Sequence, residues 1–348
     1  MSPRARAEAF CARYGLRAPV LMGPMAGSSP PALAAAVADA GGMGGCGAVL
    51  MAPDAIGRWI AAFRASSAGA VQVNLWMPDP APVIATEAVE RMRGLLAARG
   101  VALGEPVAMP DFAEQCAAVV VARPTAASSI MGLFPAATVA ALHAAGIAWF
   151  ASVTSVAEAD AAVAAGADAL VVSGVEAGGH RGSFSPEAAA RQGGTLFALL
   201  PVIADRVAVP LIAAGGIADG RGLAAALVLG ASAVQVGTAL LRTPEAGTPP
   251  VWADRLAGTW PEDTVQTPGY SGRLARAVRN GWTDAVGEDA LPYPIQRAAV
   301  APLRARALTT GDAETMQMWA GQGASLARAE PAGTLVARWW DEAQQLLP

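Results

Sequence analysis

The chain of 348 residues contains no lysine, because all 24 of its basic residues are arginine. This absence excludes a lysine Schiff base, a pyridoxal phosphate anchor and the lysine of a P-loop. The formal net charge of −4 comes without a basic tract, which argues against nucleic acid as a partner. The chemistry of the chain must therefore rest on other polar groups.

Cysteine and long apolar runs are also scarce. Cys11, Cys46 and Cys116 have no paired spacing, so the sequence predicts buried free thiols and neither a metal site nor a disulfide framework. Hydrophobic residues make up 54% of the chain, but no uninterrupted span of about 20 apolar residues predicts a membrane helix. The N-terminus has no apolar region typical of a secretory signal, and we expect a cytoplasmic protein.

Short apolar runs alternate with alanine-rich helical stretches over the first two thirds of the chain, which is typical of the α/β class. Eight such units predict a TIM (β/α)8 barrel. A doubly wound sheet is the competing fold, but it favours a GxGxxG turn after the first strand, where this chain reads MGPMAG. The predicted strands cover residues 18–23, 41–47, 70–75, 116–122, 146–152, 167–173, 209–215 and 232–238.

The alternation stops near residue 242 and divides the chain into three parts. We expect the barrel over 1–242, a small helical segment over 243–310 that caps the C-terminal mouth, and a C-terminal helix within 311–348 that packs back on the barrel. Residues 76–112 predict an amphipathic helix followed by a loop, an elaborated third loop. Long loops on this face of a barrel often carry function.

One of only two histidines follows two glycines in the motif SGVEAGGHRGSF, residues 173–184. Glycines there allow positive φ and let the backbone approach a flat or anionic ligand closely. His180 can then serve as a base, an acid or a hydrogen-bond donor.

The last two predicted strands end in glycine, in AAGGIADGRG (213–222) and QVGTALL (235–241). The last two loops of such barrels commonly bind phosphate. The amides of Gly215, Gly216, Gly237 and Thr238 therefore predict a phosphate site that needs no lysine. Arg221 and Arg242 either help to bind the phosphate or are solvated side chains.

These motifs, together with GPMAG after the first strand and VNL in the third, resemble the nitronate monooxygenase family, which consists of FMN-dependent TIM barrels formerly grouped as 2-nitropropane dioxygenases. SGRLARAVRN, LPYPIQ and MWAGQGASLAR resemble its class I branch. The resemblance implies FMN on the C-terminal face and O2-dependent denitrification of an alkyl nitronate such as propionate 3-nitronate.

The resemblance also implies roles for single residues. His180 would be the catalytic residue, with a near-neutral imidazole suited to binding nitro oxygens or to removing the α-proton of a neutral nitroalkane. Ser173 would line the substrate cavity above the flavin. Tyr293, in LPYP of the appended segment, either caps this substrate cavity or is an ordinary interface tyrosine. The implied FMN contacts are Gly23, Pro24, Met25, Asn74, Gly178, Gly179, Gly193, Gly194, Gly215, Gly216, Gln235, Gly237 and Thr238.

Two positions depart from the family pattern. Family members often have glutamine at Ser173 and a histidine near Ile130. Their absence predicts a less polar cavity that favours uncharged alkyl nitronates, unless an arginine such as Arg297 supplies a positive charge.

Two other functions stay open at this point. One is an NAD(P)H-dependent FMN reductase of the enoyl-acyl-carrier or quinone type, which resembles this family. The other is a flavin-binding module without activity, in which His180 would have no task.

Overall fold

Eight parallel strands close into a barrel within the first 242 residues, which confirms the predicted TIM-barrel fold. The computed structural model describes residues 1–287 and 289–347. The last barrel strand pairs with the first, with Val234 opposite Val20. The barrel strands are β1 (Val20–Met22), β2 (Met43–Gly47), β3 (Ala70–Trp76), β4 (Ala126–Ile130), β5 (Ala148–Val153), β6 (Ala169–Ser173), β8 (Leu211–Ala214) and β9 (Ala233–Val236).

Helices surround the barrel between successive strands. In the helix over Pro53–Ser66, Ile56, Ile60 and Phe63 recur on one buried face, and proline occupies the first turn, where its missing N–H is tolerated. No helix within the described residues is long and apolar enough to cross a membrane. The helices of this part are α1 (Pro3–Tyr14), α2 (Pro31–Asp39), α3 (Pro53–Ser66), α4 (Thr86–Ala97), α5 (Phe112–Ala122), α6 (Ala136–Ala144), α7 (Val156–Ala164), α8 (Pro186–Ala189), α9 (Leu196–Ala204) and α10 (Gly220–Val228).

The predicted fourth strand at 116–122 is wrong, because these residues belong to α5. The Asp111 side chain accepts a hydrogen bond from the Glu114 amide at 2.9 Å and caps the helix. Val119 is 1% exposed whereas Val121 is 82% exposed, so only one face of the apolar run is buried. A short apolar run does not distinguish helix from strand. The true β4 reads AASSI and has too few large apolar residues to stand out.

The three cysteines are buried free thiols, as predicted. Cys116 lies on α5 and Cys46 in β2. Burial is the main cause that raises the pKa of all three thiols, which makes them unreactive near neutral pH.

Glycine is required in β2, which reads MGGCG. A Cβ on Gly45 would lie 2.4 Å from the carbonyl oxygen of Met22, and one on Gly47 would lie 2.5 Å from the amide nitrogen of Ala26. The chain that leaves β1 therefore crosses directly over β2. This crossing fixes the loop of residues 23–26 at the barrel mouth.

Residues 243–310 contain helices, and also two strands that the sequence did not predict. β10 (Thr264–Thr267) pairs antiparallel with β11 (Ala275–Val278), and β11 pairs antiparallel with β7 (Gly179–His180). Strands of two and four residues are too short to show an alternating pattern. The helices of this segment are α11 (Pro250–Ala257), α12 (Gly281–Val286), α13 (Ile295–Ala299) and α14 (Ala301–Thr310).

The end of the chain returns to the barrel. Ala320 donates its amide proton to the carbonyl of Arg276 at 3.2 Å, beside the mouth. The helix α15 (Ala332–Leu346) then packs against α2 and α10 with Leu335 and Trp339 buried. Glu288 and Pro348, which belong to the predicted capping and C-terminal segments, lie outside the described residues.

We expect Gly45→Ala to lower the free energy of unfolding by about 1–3 kcal/mol, since overpacking costs that much and the opposing atom is backbone. Gly57→Ala is the matched control: it lies exposed on α3 with nothing within 4 Å of its Cβ, and it should stabilise by about 0.5–1 kcal/mol. Urea unfolding followed by circular dichroism measures both changes. Equal stability of the two variants would contradict the tight crossing over β2.

Candidate active site

A cavity of about 240 Å3 lies at the C-terminal ends of the barrel strands. Polar side chains from β3, β5, β6 and β9 line its barrel side, and the 243–310 segment lines the opposite side with tyrosine and arginine. Ligand sites of TIM barrels lie at this face because the strand ends and their loops converge there.

The imidazole of His180 is held from three directions. Its Nε2 lies 2.8 Å from Ser271 Oγ. The rings of Trp76 and Trp319 stand edge-on to it, with centroids at 4.5 and 5.0 Å. The β7–β11 pairing places Ala275 opposite His180 and so brings the loop of Ser271 to the ring. The histidine is thus positioned by residues about 90 positions further along the chain.

Ser271 can support either neutral tautomer of the imidazole. Its Oγ lies 3.2 Å from the carbonyl oxygen of Arg273, which accepts the hydroxyl proton and leaves Oγ free to accept from Nε2–H. Rotation of the hydroxyl toward Nε2 gives the other tautomer. Nδ1 of His180 has no hydrogen-bond partner within the described chain. It can therefore donate to a ligand or accept from one.

Burial, together with the positive charges of Arg273, Arg297 and Arg304, lowers the pKa of His180 to about 3. The ring is therefore neutral at any ordinary pH. The sequence led us to expect an imidazole that titrates near neutrality, and the difference comes first from burial and then from the charges of three arginines. A neutral imidazole with so low a pKa is a hydrogen-bonding group and a weak base.

Glycine backbone forms one end of the cavity. Gly215 and Gly216 have φ of 127° and 69° after β8, and Gly237 precedes a 3-10 turn over Thr238–Leu240 after β9. The nearby carboxylate of Glu176 accepts the amide proton of Leu196 at 3.0 Å and so caps α9. This hydrogen bond engages a carboxylate that lies beside the glycine loop, since a Cβ on Gly215 would be 3.6 Å from Glu176 Oε2. The loops themselves offer amides to an anion.

The floor of the cavity presents one free acceptor and one free donor. The Nδ2 group of Asn74 donates to the carbonyl and hydroxyl oxygens of Ser128 at 3.2 and 3.0 Å. The Oε1 atom of Gln235 accepts from Gln72 at 3.0 Å. This pattern leaves the Asn74 carbonyl oxygen and the Gln235 amide nitrogen for a ligand.

The structure brings most of the sequence-predicted site residues together. Gly193 and Gly194 do not line the cavity, and the Gly194 carbonyl instead accepts the amide proton of Val175 at 3.0 Å. The predicted residues that do line it are Gly23, Pro24, Met25, Asn74, Ser173, Gly178, Gly179, His180, Gly215, Gly216, Gln235, Gly237, Thr238 and Tyr293.

Some of these residues have structural tasks as well. A Cβ on Gly178 would lie 2.4 Å from the amide nitrogen of Gly321, so this glycine is needed for backbone packing. The Gly321 amide also donates to Thr238 Oγ1 at 2.9 Å. Arg221 pairs with Asp219 and Arg242 donates to a backbone carbonyl, so both are committed elsewhere.

Sequence reasoning missed several residues that line the cavity. Ser271 and Trp319 lie in or next to the quoted motifs SGRLARAVRN and MWAGQG, so a signal existed for them. Trp76 ends β3 and looks like an ordinary strand residue. Gln317 directly precedes MWAGQG and shares its signal, whereas Arg304 has no local signal, because nothing in the 243–310 pattern shows which helix face meets the barrel.

A closed parallel barrel whose strand ends surround a cavity of polar and apolar groups defines a TIM-barrel protein with a candidate small-molecule site. A sequence model described as nitronate monooxygenase matches residues 9–342. The chain is 38% identical over 367 residues to the nitronate monooxygenase of Paraburkholderia phytofirmans, an alignment that covers 99% of this chain and 97% of that protein. The chain therefore belongs to the nitronate monooxygenase family of oxidoreductases.

Two solved structures are similar over nearly the full length. The nitroalkane oxidase from Streptomyces ansochromogenes superposes with a TM-score of 0.88 at 36% identity and covers 95% of this chain and 96% of its own. FabK from Thermotoga maritima superposes with a TM-score of 0.77 at 28% identity and covers 97% of this chain and 96% of its own.

The low pKa of His180 predicts a pH-dependent difference between the flavin-free protein and His180→Asn. Below about pH 6.5 the unfolded chain binds a proton at this histidine, and the folded chain binds none until near pH 3. The wild type should therefore lose stability relative to the variant as the pH falls from about 7.5 to about 4.5. Urea unfolding across this range measures the difference, with His143→Asn as a control for loss of a surface histidine. Parallel pH profiles for wild type and His180→Asn would contradict the buried, arginine-surrounded ring.

Proposed function

We propose that this protein is an FMN-dependent nitronate monooxygenase, which oxidises an alkyl nitronate with O2 and releases nitrite. The observation that carries the proposal is the neutral imidazole of His180, held between two tryptophan rings in a cavity lined with arginine. Such a site suits a small organic anion whose acidic proton is already gone. Membership of the nitronate monooxygenase family supports the same reaction.

The residues present fit a flavin. The Asn74 oxygen and the Gln235 amide supply the acceptor and the donor that the pyrimidine edge of an isoalloxazine needs. The amides of Gly215, Gly216 and Gly237 suit a phosphate, which in this lysine-free chain must be held without an ammonium group. Bound FMN would supply the electron-transfer chemistry that no side chain of the cavity offers.

The protein's own part in the reaction is binding and orientation. His180 donates from Nδ1–H to a nitro oxygen while Ser271 donates to Nε2 and holds the ring in that tautomer. Trp76 and Trp319 cover the ring and exclude bulk water from it. No proton has to be removed from a nitronate, so a weak base is sufficient. Neutral nitroalkanes, which must first lose an α-proton, should be poor substrates.

Anaerobic mixing of the purified yellow protein with a nitronate, NADH and NADPH in turn tests the reaction. We expect the nitronate to change the flavin absorbance rapidly and both nicotinamides to leave it unchanged. In air the nitronate should yield nitrite. Rapid bleaching by a nicotinamide, with no response to the nitronate, would favour the reductase alternative and contradict the proposal.

Gly237→Val is expected to lower FMN occupancy at least tenfold. The φ of Gly237 is −113°, which any residue adopts, so the added side chain tests obstruction of the ligand and not backbone strain. Gly193→Val is the control, because Gly193 is exposed outside the cavity with nothing within 4 Å of its Cβ. The ratio of flavin to protein absorbance after purification gives the occupancy. Full occupancy of Gly237→Val would rule out this loop as the phosphate site.

A further inference from the structure

Two arginines line the cavity without an acidic partner in the described part of the chain. Arg297 lies on α13 and Arg304 on α14, seven positions apart. Neither side chain forms an ion pair or a hydrogen bond with any described residue, and Arg304 Nε is buried without a partner. Both positive charges act electrostatically on His180, because both contribute to lowering the pKa of its imidazole.

Three arginines near the cavity, all buried, donate hydrogen bonds to oxygen atoms of the protein. Arg273 donates to both carboxylate oxygens of Asp79, at 2.8 and 2.6 Å. Arg181 donates to the carbonyl oxygen of Ser173 at 2.8 Å, and Arg276 to that of Val175 at 2.9 Å. These three arginines join loops to one another. Arg297 and Arg304 have no such structural task.

Partial burial of two like charges that have no acidic partner among the described residues is unfavourable for the folded protein. Desolvation lowers the pKa of Arg297, and desolvation together with the charge of Arg297 lowers the pKa of Arg304 to about 10. Buried charges in proteins are normally paired, and an unpaired one destabilises the fold. Such a cost is typical of functional sites, where a ligand offsets it.

We propose that Arg297 and Arg304 form an anion subsite that binds a small carboxylate. The subsite lies on the side of the cavity lined by residues 243–310, a segment termed the lid. Guanidinium groups match the planar geometry of a carboxylate and bind it with paired hydrogen bonds. Tyr293 borders this subsite, and its ring centroid lies 5.6 Å from that of Trp76. The carboxylate is either part of the substrate or a free molecule that competes with it.

The choice of substrate follows from the proposed function and extends it. If the carboxylate is part of the substrate, one molecule places its nitronate at His180 and its carboxylate at the arginine pair. The sequence predicts a preference for uncharged nitronates unless an arginine such as Arg297 supplies a positive charge. The two arginines in the cavity lining meet that exception and favour the carboxylated substrate.

The binding test uses propionate as the probe and thermal unfolding of the holoprotein as the readout. We expect propionate to raise the melting temperature of the wild type, and Arg304→Met and Arg297→Met to lose at least half of this increase. Arg306→Met is the matched control, since Arg306 on α14 donates to the Arg99 carbonyl outside the cavity and should keep the full response. Without propionate, Arg304→Met should melt above the wild type, because it removes a partly buried charge that has no acidic partner among the described residues.

A full propionate response in both Arg297→Met and Arg304→Met overturns the subsite, whatever their baseline stability. Two variants are used so that failure of one to fold leaves the other to decide. This readout needs no turnover, so it is independent of whether the protein acts on nitronates.

Steady-state kinetics distinguish the two sources of the carboxylate. If the substrate carries it, the ratio of kcat/KM for a carboxylated nitronate to that for an uncharged nitronate should fall at least about tenfold in Arg304→Met, as expected on loss of one partner of a buried charged contact. If it is a free molecule, this ratio stays constant while competitive inhibition by propionate weakens in the variant. No change in either quantity contradicts the subsite. Inactivity of the wild type on all nitronates would contradict the proposed function and leave the thermal test valid.

Discussion

The antiparallel pairing of two residues, Gly179 and His180, with β11 is the contact on which the candidate site depends. It joins the loop after β6 to a segment almost 100 residues further along the chain. The Arg181 amide extends the pairing by donating to the Leu274 carbonyl at 2.8 Å. This small sheet converts a flexible glycine-rich loop into a strand. It also closes the cavity, because the lid and the barrel meet at the histidine.

A buried ion pair holds a second loop to the same lid. Arg273 is 1% exposed and binds Asp79, which lies in the loop after β3, and it also donates to the Ser183 carbonyl at 3.2 Å. A buried ion pair contributes little net stability, but loss of one partner is strongly destabilising. The bridge therefore sets where the third loop lies. It also places a positive charge near His180 that a free loop would not hold there.

The barrel and most of the glycines that line the cavity were predictable from the sequence, because each depends on local features. Alternating apolar runs indicate parallel strands, and glycines at strand ends such as Gly215 and Gly237 indicate close backbone approach. Residues 116–122 were assigned to a strand because a short apolar run does not show how many of its faces are buried. Gly193 and Gly194 were assigned to the cofactor by resemblance, and the structure places them outside the cavity.

The residues that the lid and the segment around Trp319 contribute to the site were not predictable in the same way. Ser271 and Trp319 reach the site beside very short strands and a single β-bridge, which leave no periodic signal, and Arg304 reaches it from α14. The low pKa of His180 is a collective effect of burial and three arginines from distant positions. A residue pattern around His180 could not have shown it.

Amide hydrogen exchange of the apoprotein with and without FMN tests most directly whether this cavity is the flavin site closed by the lid. We expect FMN to slow exchange together in residues 177–182, 213–217, 236–241 and 318–323, which surround the cavity from both the barrel and the lid. Residues 190–195 should change little. Protection confined to other parts of the chain, with none at 213–217 and 236–241, would contradict the assignment of the site.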